Sequence, residues 1–341
     1  MELVVYVLGA GFSAPLGLPV MGNFLTKSKD LFAQDPERYA HFKDLFAEFD
    51  RLAKVKNFFK TDLFNIEEIL SLLEMLEDLG GSALKRSFEA YLCDVVEALT
   101  PVPQAYPGNL PENWHGFLFR GPEPLPYYGY FVLSLFNMRV TRPRDTLQFS
   151  VSDTANRRYA VVSLNYDAVL ELQAAFIGER YGYPLAFVSD AAGEGVPLAK
   201  LHGSVTDRRV IPPTWKKRLD TAEIERAWSL AHDLLASANH VRIVGYSLPE
   251  SDTYVKYLFR AAALKSMNLK TFDVLTLDDR VGTCHARYDG FVDFPYWRFR
   301  SARVETYLSP LLEQARRPGM LDRPLDMTGL EAVHERLFET G

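Results

Sequence analysis

Short apolar runs recur along the chain, and each ends at a glycine or a polar residue. Residues 2–8 read Glu-Leu-Val-Val-Tyr-Val-Leu and stop at Gly9-Ala10-Gly11. Four later runs have the same form and cover residues 159–164, 198–201, 241–244 and 272–277. Runs of this kind are typical of strands that are buried on both faces of a parallel sheet. The pattern therefore predicts five buried strands.

Helical periodicity lies between some of these strands. Residues 222–237 and 252–265 repeat apolar residues at helical spacing. Alternation of buried strands with amphipathic helices is typical of α/β proteins. We therefore predict an α/β fold, a Rossmann-like doubly wound parallel sheet.

Residues 25–150 follow a different pattern. The stretch 66–79 is apolar enough for a buried helix, a second helical pattern follows it, and residues 127–138 favour another helix. The chain is thus predicted to divide into a Rossmann-like domain, a helical insertion and a C-terminal helical tail. These parts cover, respectively, 1–24 with 151–310, 25–150, and 311–341.

Composition excludes several classes of protein. The chain has 341 residues and a formal net charge of −6, without the broad basic surface of a nucleic-acid binder. It has neither an apolar run of membrane-spanning length nor a signal-peptide pattern at its start. Cys93 and Cys284 stand far apart, which disfavours both a disulfide framework and a four-cysteine zinc site. We expect no metal, no direct contact with nucleic acid or membrane, and a cytoplasmic location.

The first candidate motif is the turn after the first strand, Gly9-Ala10-Gly11-Phe12-Ser13, with Gly17 and Pro19 beyond it. Glycines at this point let a phosphate approach the backbone, and the next helix offers unpaired N–H groups. The motif is not the usual G-x-G-x-x-G fingerprint. A plain tight turn explains it as well when it is taken alone.

Four more motifs follow the later strands. They contain Asn165 with Asp167, His202 with Gly203, Gly245 with Ser247, and Asp278. Taken singly, the carboxylates, amide and hydroxyls could be helix caps, and a lone histidine is more often structural than catalytic. The carboxyl ends of parallel strands lie along one edge of a sheet, which is where open α/β sheets bind ligands. The coincidence of five motifs favours a shared site at that edge.

These residues, in this order, resemble the SIR2-like family, which includes the sirtuins. The segments that carry the resemblance lie within 1–24 and about 155–310. Two fuller forms, Asn165-Tyr166-Asp167 and Gly245-Tyr246-Ser247-Leu248-Pro249-x-x-Asp252, are similar to the bacterial SIR2-like branch rather than to sirtuin deacylases.

The resemblance implies NAD⁺ as the ligand. It implies that Gly9, Ala10, Gly11 and Ser13 hold the pyrophosphate, while Asn165 and Asp167 face the nicotinamide ribose. By the same resemblance, His202 acts as a base on a ribose hydroxyl. Gly17 and Gly203 belong to the cofactor-binding motifs, and Gly245, Ser247 and Asp278 hold the adenosine half.

Two features depart from sirtuins. Val20-Met21-Gly22 stands where sirtuins have Asp-Phe-Arg after the Gly-x-Pro, and two isolated cysteines cannot form the sirtuin zinc ribbon. Both disfavour a deacylase, whereas hydrolysis by water needs no peptide groove.

We therefore expect an NAD⁺ hydrolase that releases nicotinamide and ADP-ribose. The resemblance implies a role in bacterial anti-phage defence. The alternatives are an NAD⁺-dependent deacylase or ADP-ribosyltransferase, and a regulatory module that binds NAD⁺ or ADP-ribose. We expect control by self-association or by a partner protein such as an ATPase or nuclease. The aromatic segment 101–136 is a candidate contact surface, and completing the insertion's own core is its alternative role.

Overall fold

A parallel β-sheet of seven strands organises the chain. The computed structural model describes residues 1–58, 66–80, 85–210, 222–250, 252–317 and 323–339. The strands in chain order are β1 (Glu2–Leu8), β2 (Met138–Thr141), β3 (Gln148–Val151), β4 (Arg157–Ser163), β5 (Phe187–Val188), β6 (Val196–Lys200), β7 (Gly203–Ser204), β8 (Arg209–Val210), β9 (His240–Val244), β10 (Thr271–Thr276), β11 (Trp297–Ser301) and β12 (Leu325–Asp326). The helices are α1 (Ala10–Ser13), α2 (Phe24–Gln34), α3 (Phe42–Leu52), α4 (Ile66–Asp78), α5 (Lys85–Leu99), α6 (Leu125–Leu135), α7 (Val169–Tyr181), α8 (Ala222–Ser237), α9 (Thr253–Ala263), α10 (Thr283–Asp289), α11 (Val304–Ala315) and α12 (Leu330–Glu339).

The sheet is doubly wound, as the sequence predicted. Its spatial order is β11-β10-β9-β1-β4-β6-β5, with parallel pairing throughout. The chain passes from β1 to β4 and β6 on one side, then returns to build β9, β10 and β11 on the other. The order thus reverses between β1 and β9. In folds of this type, ligands bind in the crevice at that reversal.

All five predicted strands are present, with ends shifted by one or two residues. The apolar runs are buried on both faces because helices cover each side of the sheet. Helices α8 and α9 contribute Leu230, Leu234 and Leu258 to the core of one face. The sequence patterns missed β5 and β11. In β11, arginines alternate with aromatic residues and every side chain keeps some exposure, so no continuous apolar run marks it.

The predicted insertion and tail share one core with the second face of the sheet. Phe42, Leu70 and Phe88 from residues 25–150 belong to the same cluster as Tyr6 of β1 and Leu308 of α11. The proposed boundary at residue 310 falls inside α11, and β12 pairs with β2 of the insertion. The insertion is mainly helical but also carries β2 and β3, which form a small antiparallel sheet with β12.

The aromatic segment of the insertion packs largely within the core that the insertion shares with the sheet. Trp114, Phe119 and Tyr128 are buried, and Tyr106 packs edge-on against Phe117. These contacts favour packing inside the chain over the predicted contact surface as the role of this segment. Within the described residues, no helix is both long and apolar enough to cross a membrane.

A buried polar network fastens α12 to the second face of the sheet. Arg242 of β9 is 1% exposed and donates two hydrogen bonds to Glu331 of α12, each 2.8 Å long. Its Nη1 also donates to Tyr6 Oη at 3.0 Å. Burying an unpaired guanidinium would be costly, so this two-point pairing explains how a central strand tolerates an arginine.

The network continues through hydroxyls to a buried histidine. The Tyr6 and Tyr307 oxygens lie 2.7 Å apart, Tyr307 Oη lies 3.1 Å from His334 Nδ1, and His334 Nε2 lies 2.9 Å from Asp273 Oδ2. With Arg242 donating to Tyr6, each hydroxyl donates to the next group when His334 is neutral and its Nε2–H faces Asp273. Burial lowers the pKa of His334 to about 4, which agrees with this neutral state.

We expect His334 to make folding stability depend on mild acidity. Its pKa is about 4 when folded, against an ordinary value of 6.5, so the unfolded chain takes up the proton first. The free energy of unfolding should fall by about 1 kcal/mol between about pH 7.5 and about pH 5.5 through this group. Urea unfolding of the wild type and His334→Gln across that range measures the difference. Equal pH dependence in both proteins would contradict the assignment.

Candidate active site

Two glycine turns meet at the carboxyl edge of the sheet, where the strand order reverses. Gly9 N donates to Val244 O at 3.0 Å, and Gly11 N donates to Gly245 O at 2.8 Å. Gly245 has a φ of +69°, and a Cβ there would lie 2.1 Å from Phe12 N. A Cβ on Gly9 or Gly11 would come within 2.6 or 2.8 Å of Gly245 O. Glycine is thus required by close backbone contact at all three positions.

Asn165 connects the end of β4 to the first of these turns. Its side chain is buried at 7% exposure, and Nδ2 donates to Gly9 O at 3.0 Å and to Ser13 Oγ at 3.3 Å. A carbonyl oxygen can only accept, so the contact with Gly9 fixes the orientation of the amide. The oxygen Oδ1 remains as the acceptor that Asn165 can offer to a ligand.

Asp167 lies beside the same serine. Ser13 hydrogen-bonds to the Asp167 carboxyl, and Val169 N donates to its Oδ1 at 3.2 Å. Desolvation raises the pKa of Asp167 above its usual range, although the charge of Lys200 and the Ser13 hydrogen bond oppose that rise. Lys200 Nζ itself is held by Glu171 at 2.8 Å and by the backbone carbonyl of Asp167. Ser13 therefore joins the two side chains predicted to face the nicotinamide ribose.

His202 follows β6 and lies deep in the same edge. It is 3% exposed, and its ring centroid is 6.0 Å from that of Tyr166. The residue before it is held at both its backbone polar groups, since Leu201 N donates to Ser163 O at 2.9 Å and Trp228 Nε1 donates to Leu201 O at 3.0 Å. Gly203 then turns the chain with a φ of +77°, where a Cβ would lie 2.0 Å from Arg209 O.

The loop after β9 is held from within. Tyr246 Oη donates to the buried Asp252 at 2.8 Å, and Tyr288 Oη of α10 donates to Tyr246 O at 2.8 Å. Ser247 O accepts a weak bond from Cys284 Sγ at 3.6 Å. These contacts order the backbone that presents Ser247 at the sheet edge.

Asp278 is engaged elsewhere. Its Oδ1 accepts from Asp279 N at 2.9 Å and Cys284 N at 2.8 Å, while Oδ2 accepts from His285 N at 3.0 Å. Both oxygens therefore serve the start of α10, which is the capping role that the sequence left open for this residue.

One cavity of about 630 Å³ opens where these elements meet. This volume is typical of small-molecule sites. The predicted site residues among those lining it are Gly9, Ala10, Gly11, Ser13, Asn165, Asp167, His202, Gly245 and Ser247. Among the described residues, Gly17, Gly203 and Asp278 lie outside this lining. Gly17 ends a turn with a φ of +92° and open space around it.

Sequence reasoning missed most of the opposite wall. Buried apolar side chains of the insertion line the cavity there: Phe24, Ile66, Leu70, Phe88, Leu92 and Val96. Nothing in their helical spacing distinguishes a cavity wall from an ordinary core. Arg303 and Glu305, after β11, also line the cavity and were missed because β11 itself was not predicted.

The cysteines lie apart in the fold. Cys93 is buried in α5 and Cys284 in α10, and burial raises the pKa of each thiol to about 11. In the described part of the chain, no group of three or more His, Cys, Asp or Glu side chains is arranged to hold a metal ion.

Comparison with known proteins finds a weak structural similarity. No family model matches the chain, and no curated protein matches it. A solved chain described as "Structural Basis for the Mechanism and Regulation of Sir2 Enzymes" is similar at 11% sequence identity and a TM-score of 0.42, over 93% of each chain. A TM-score of this size carries no argument about family or activity.

We expect Gly245→Ala to unfold the edge of the sheet. The new Cβ would meet the Phe12 amide at 2.1 Å and would also impose positive-φ strain, so the free energy of unfolding should fall by about 3–5 kcal/mol. Gly17→Ala is the matched control, because it has the same kind of strain without a clash and should lose about 1–2 kcal/mol. Urea denaturation measures both, and equal losses would show that the contact between the turns is unimportant.

Proposed function

We propose that this chain is a SIR2-like NAD⁺ hydrolase that releases nicotinamide and ADP-ribose. The observation that carries the proposal is the convergence of motifs from four strand ends on one cavity. That cavity lies at the reversal of strand order and contains Asn165 beside Ser13 and Asp167, with His202 in the same lining. Convergence of polar groups in a large apolar cavity is typical of an active site.

The reaction would break the bond between ribose C1′ and the pyridinium nitrogen. The bonding electron pair leaves with nicotinamide, a water oxygen adds to C1′, and one proton is released. Positive charge builds on the ribose as the bond breaks, so polar groups held near it lower the barrier. Asp167 would supply negative charge and Asn165 Oδ1 would orient the water or a ribose hydroxyl. His202 would accept the proton.

The glycine turns would receive the pyrophosphate. Close packing of Gly9 and Gly11 on Gly245 keeps side chains away from the backbone at this point. A turn without side chains lets a phosphate approach the backbone closely, although the N–H groups of Gly9 and Gly11 themselves donate to Val244 O and Gly245 O. Gly245 and Ser247 would then contact the adenosine half.

One observation favours the deacylase alternative as a second candidate. The insertion wall of the cavity is apolar and includes the buried residues Leu70, Phe88 and Leu92, which could accommodate an acyl chain. Incubation with NAD⁺ in the presence and absence of an acylated peptide separates the candidates. Nicotinamide release only in the presence of the peptide would favour the deacylase over the hydrolase. NAD⁺ binding without any nicotinamide release would favour the regulatory module.

Control of this activity belongs to the same proposal. An unregulated NAD⁺ hydrolase would exhaust a cofactor that its host needs. By the resemblance, the enzyme would act in anti-phage defence and would stay weakly active until it self-associates or meets a partner such as an ATPase or nuclease.

Asn165→Ala should abolish nicotinamide release. The substitution also removes the hydrogen bond to Gly9 O, so we expect a loss of about 1–3 kcal/mol in stability as well. Asn239→Ala is the matched control, since Asn239 Oδ1 accepts from Leu3 N at 2.8 Å and Nδ2 donates to Asn268 O at 3.2 Å, at the opposite edge of the sheet. This control should lose similar stability and keep its turnover. Wild-type turnover in folded Asn165→Ala would refute the assignment.

His202→Ala should slow nicotinamide release by about 10²–10⁴-fold if His202 is the general base. His240→Ala serves as the control, because His240 lies at the amino end of β9 and contacts Thr271 and Glu2 there. Turnover should be measured by nicotinamide release at saturating NAD⁺. A loss of less than about tenfold for His202→Ala would make this residue structural.

A further inference from the structure

The end of the cavity next to β10 and β11 has an arginine, Arg303, in its lining. Asp278, which was predicted to hold the adenosine half there, is not part of that lining. Thr276 and Leu277 at the end of β10 line the cavity, whereas Asp278 spends both oxygens on the start of α10. Arg303, two residues after β11, is the one Lys or Arg side chain among the described lining residues. It is exposed and makes no ion pair with any residue that the structure describes.

The position of Arg303 separates it from the glycine turns. The order β11-β10-β9-β1 places three strand spacings, about 14 Å, between the strand before Arg303 and the strand before Gly9. Ser301 pairs with Thr276, and Ser301 Oγ accepts from Asp278 N at 3.1 Å, so the backbone leading to Arg303 runs beside the end of β10. If the pyrophosphate binds at the turns, Arg303 stands beside the adenosine ribose instead.

Two features bear on the charge of this end of the cavity. Arg303 is also the N-cap of α11, a twelve-residue helix whose first turn adds partial positive charge. Glu305 lines the cavity as well, two residues after Arg303 in the first turn of α11. Its negative charge opposes a phosphate at this end, whereas Arg303 and the start of α11 supply the positive charge that attracts one.

In dinucleotide-binding folds, an acidic residue beside the adenosine ribose binds its 2′-hydroxyl and selects NAD⁺, whereas an arginine accommodates a 2′-phosphate. We propose that Arg303 forms a 2′-phosphate subsite, so that this cavity accepts dinucleotides phosphorylated on the adenosine ribose, the NADP⁺ class, in preference to NAD⁺. This inference rests on the proposed function, because it takes the adenosine half to lie over β9 and β10.

Product binding tests the subsite without requiring turnover. Calorimetry on the full chain should compare 2′-phospho-ADP-ribose with ADP-ribose, and the phosphorylated ligand should bind more tightly. A charge-assisted contact of this kind corresponds to about a 10- to 100-fold difference. In Arg303→Gln the ratio of the two affinities should fall by about that factor, and Arg303→Glu should invert the preference.

Arg280→Gln is the matched control, since Arg280 is an exposed arginine on the loop after β10 and lies outside the cavity lining. It should leave the ratio unchanged. Equal weakening of both ligands by Arg303→Gln would place Arg303 on the shared pyrophosphate and overturn the subsite. Equal affinity of the wild type for both ligands would overturn it too. Failure of both ligands to bind at millimolar concentration would overturn the proposed function itself, a result distinct from the other two.

Discussion

The close approach of the turns after β1 and β9 is the constraint on which the rest of the site depends. Gly9, Gly11 and Gly245 bring two stretches of backbone into direct hydrogen-bonded contact, with no room for a side chain between them. This contact locks the two halves of the sheet together where the strand order reverses. Because the turns are held by each other, the adjoining strand ends diverge from a fixed point and leave the cavity between their loops. The hydrogen bond from Asn165 to the Gly9 carbonyl then fixes the Asn165 side chain relative to the first turn.

Features of the fold and the site that depend on residues near one another in the sequence could be predicted. Features that depend on distant partners could not. The five buried strands were predictable because burial on both faces leaves predominantly apolar runs, even where a single charged residue such as Arg242 or Asp273 interrupts one, and their shared edge follows from parallel pairing. Strand β11 was not, since Arg298 and Arg300 interrupt its apolar pattern and Arg298 is stabilised by Asp273 and by Glu335 of α12. Asp278 shows a second limit. An acidic residue after a strand fits both a ribose ligand and a helix cap, and only the folded positions of Cys284 and His285 decide between them.

The buried network around Arg242 shows why the C-terminal region could not be placed from patterns alone. The run 241–244 was predicted to be buried on both faces although it contains Arg242, and nothing near Arg242 in the sequence shows how its charge is paired. Its partner Glu331 lies 89 residues away in the chain. Removing one partner of such a pair would leave an unpaired charge buried in the core, which is strongly destabilising. The Arg242–Glu331 pair therefore holds α12 on the sheet in addition to the apolar contacts. This network lies behind the strands that carry the site, which gives those strands a rigid support on the face shared with the insertion.

The two walls of the cavity differ in what holds them. On one side, Asn165 and the glycine turns are fixed by hydrogen bonds to backbone atoms, and the Ser13 hydroxyl is fixed by the Asn165 side chain, so a ligand group that depends on them meets a preorganised surface. On the other side, the wall consists of apolar side chains from α4 and α5, including Leu70 and Leu92, whose packing can change volume without breaking a polar contact. Preorganised polar groups suit the part of a substrate where charge develops, because they need no reorganisation during the reaction. In the proposed hydrolase, the adaptable apolar wall would therefore be the part of the cavity where substitutions alter which second substrate or apolar group is admitted, without disturbing the polar groups proposed to face the reacting bond.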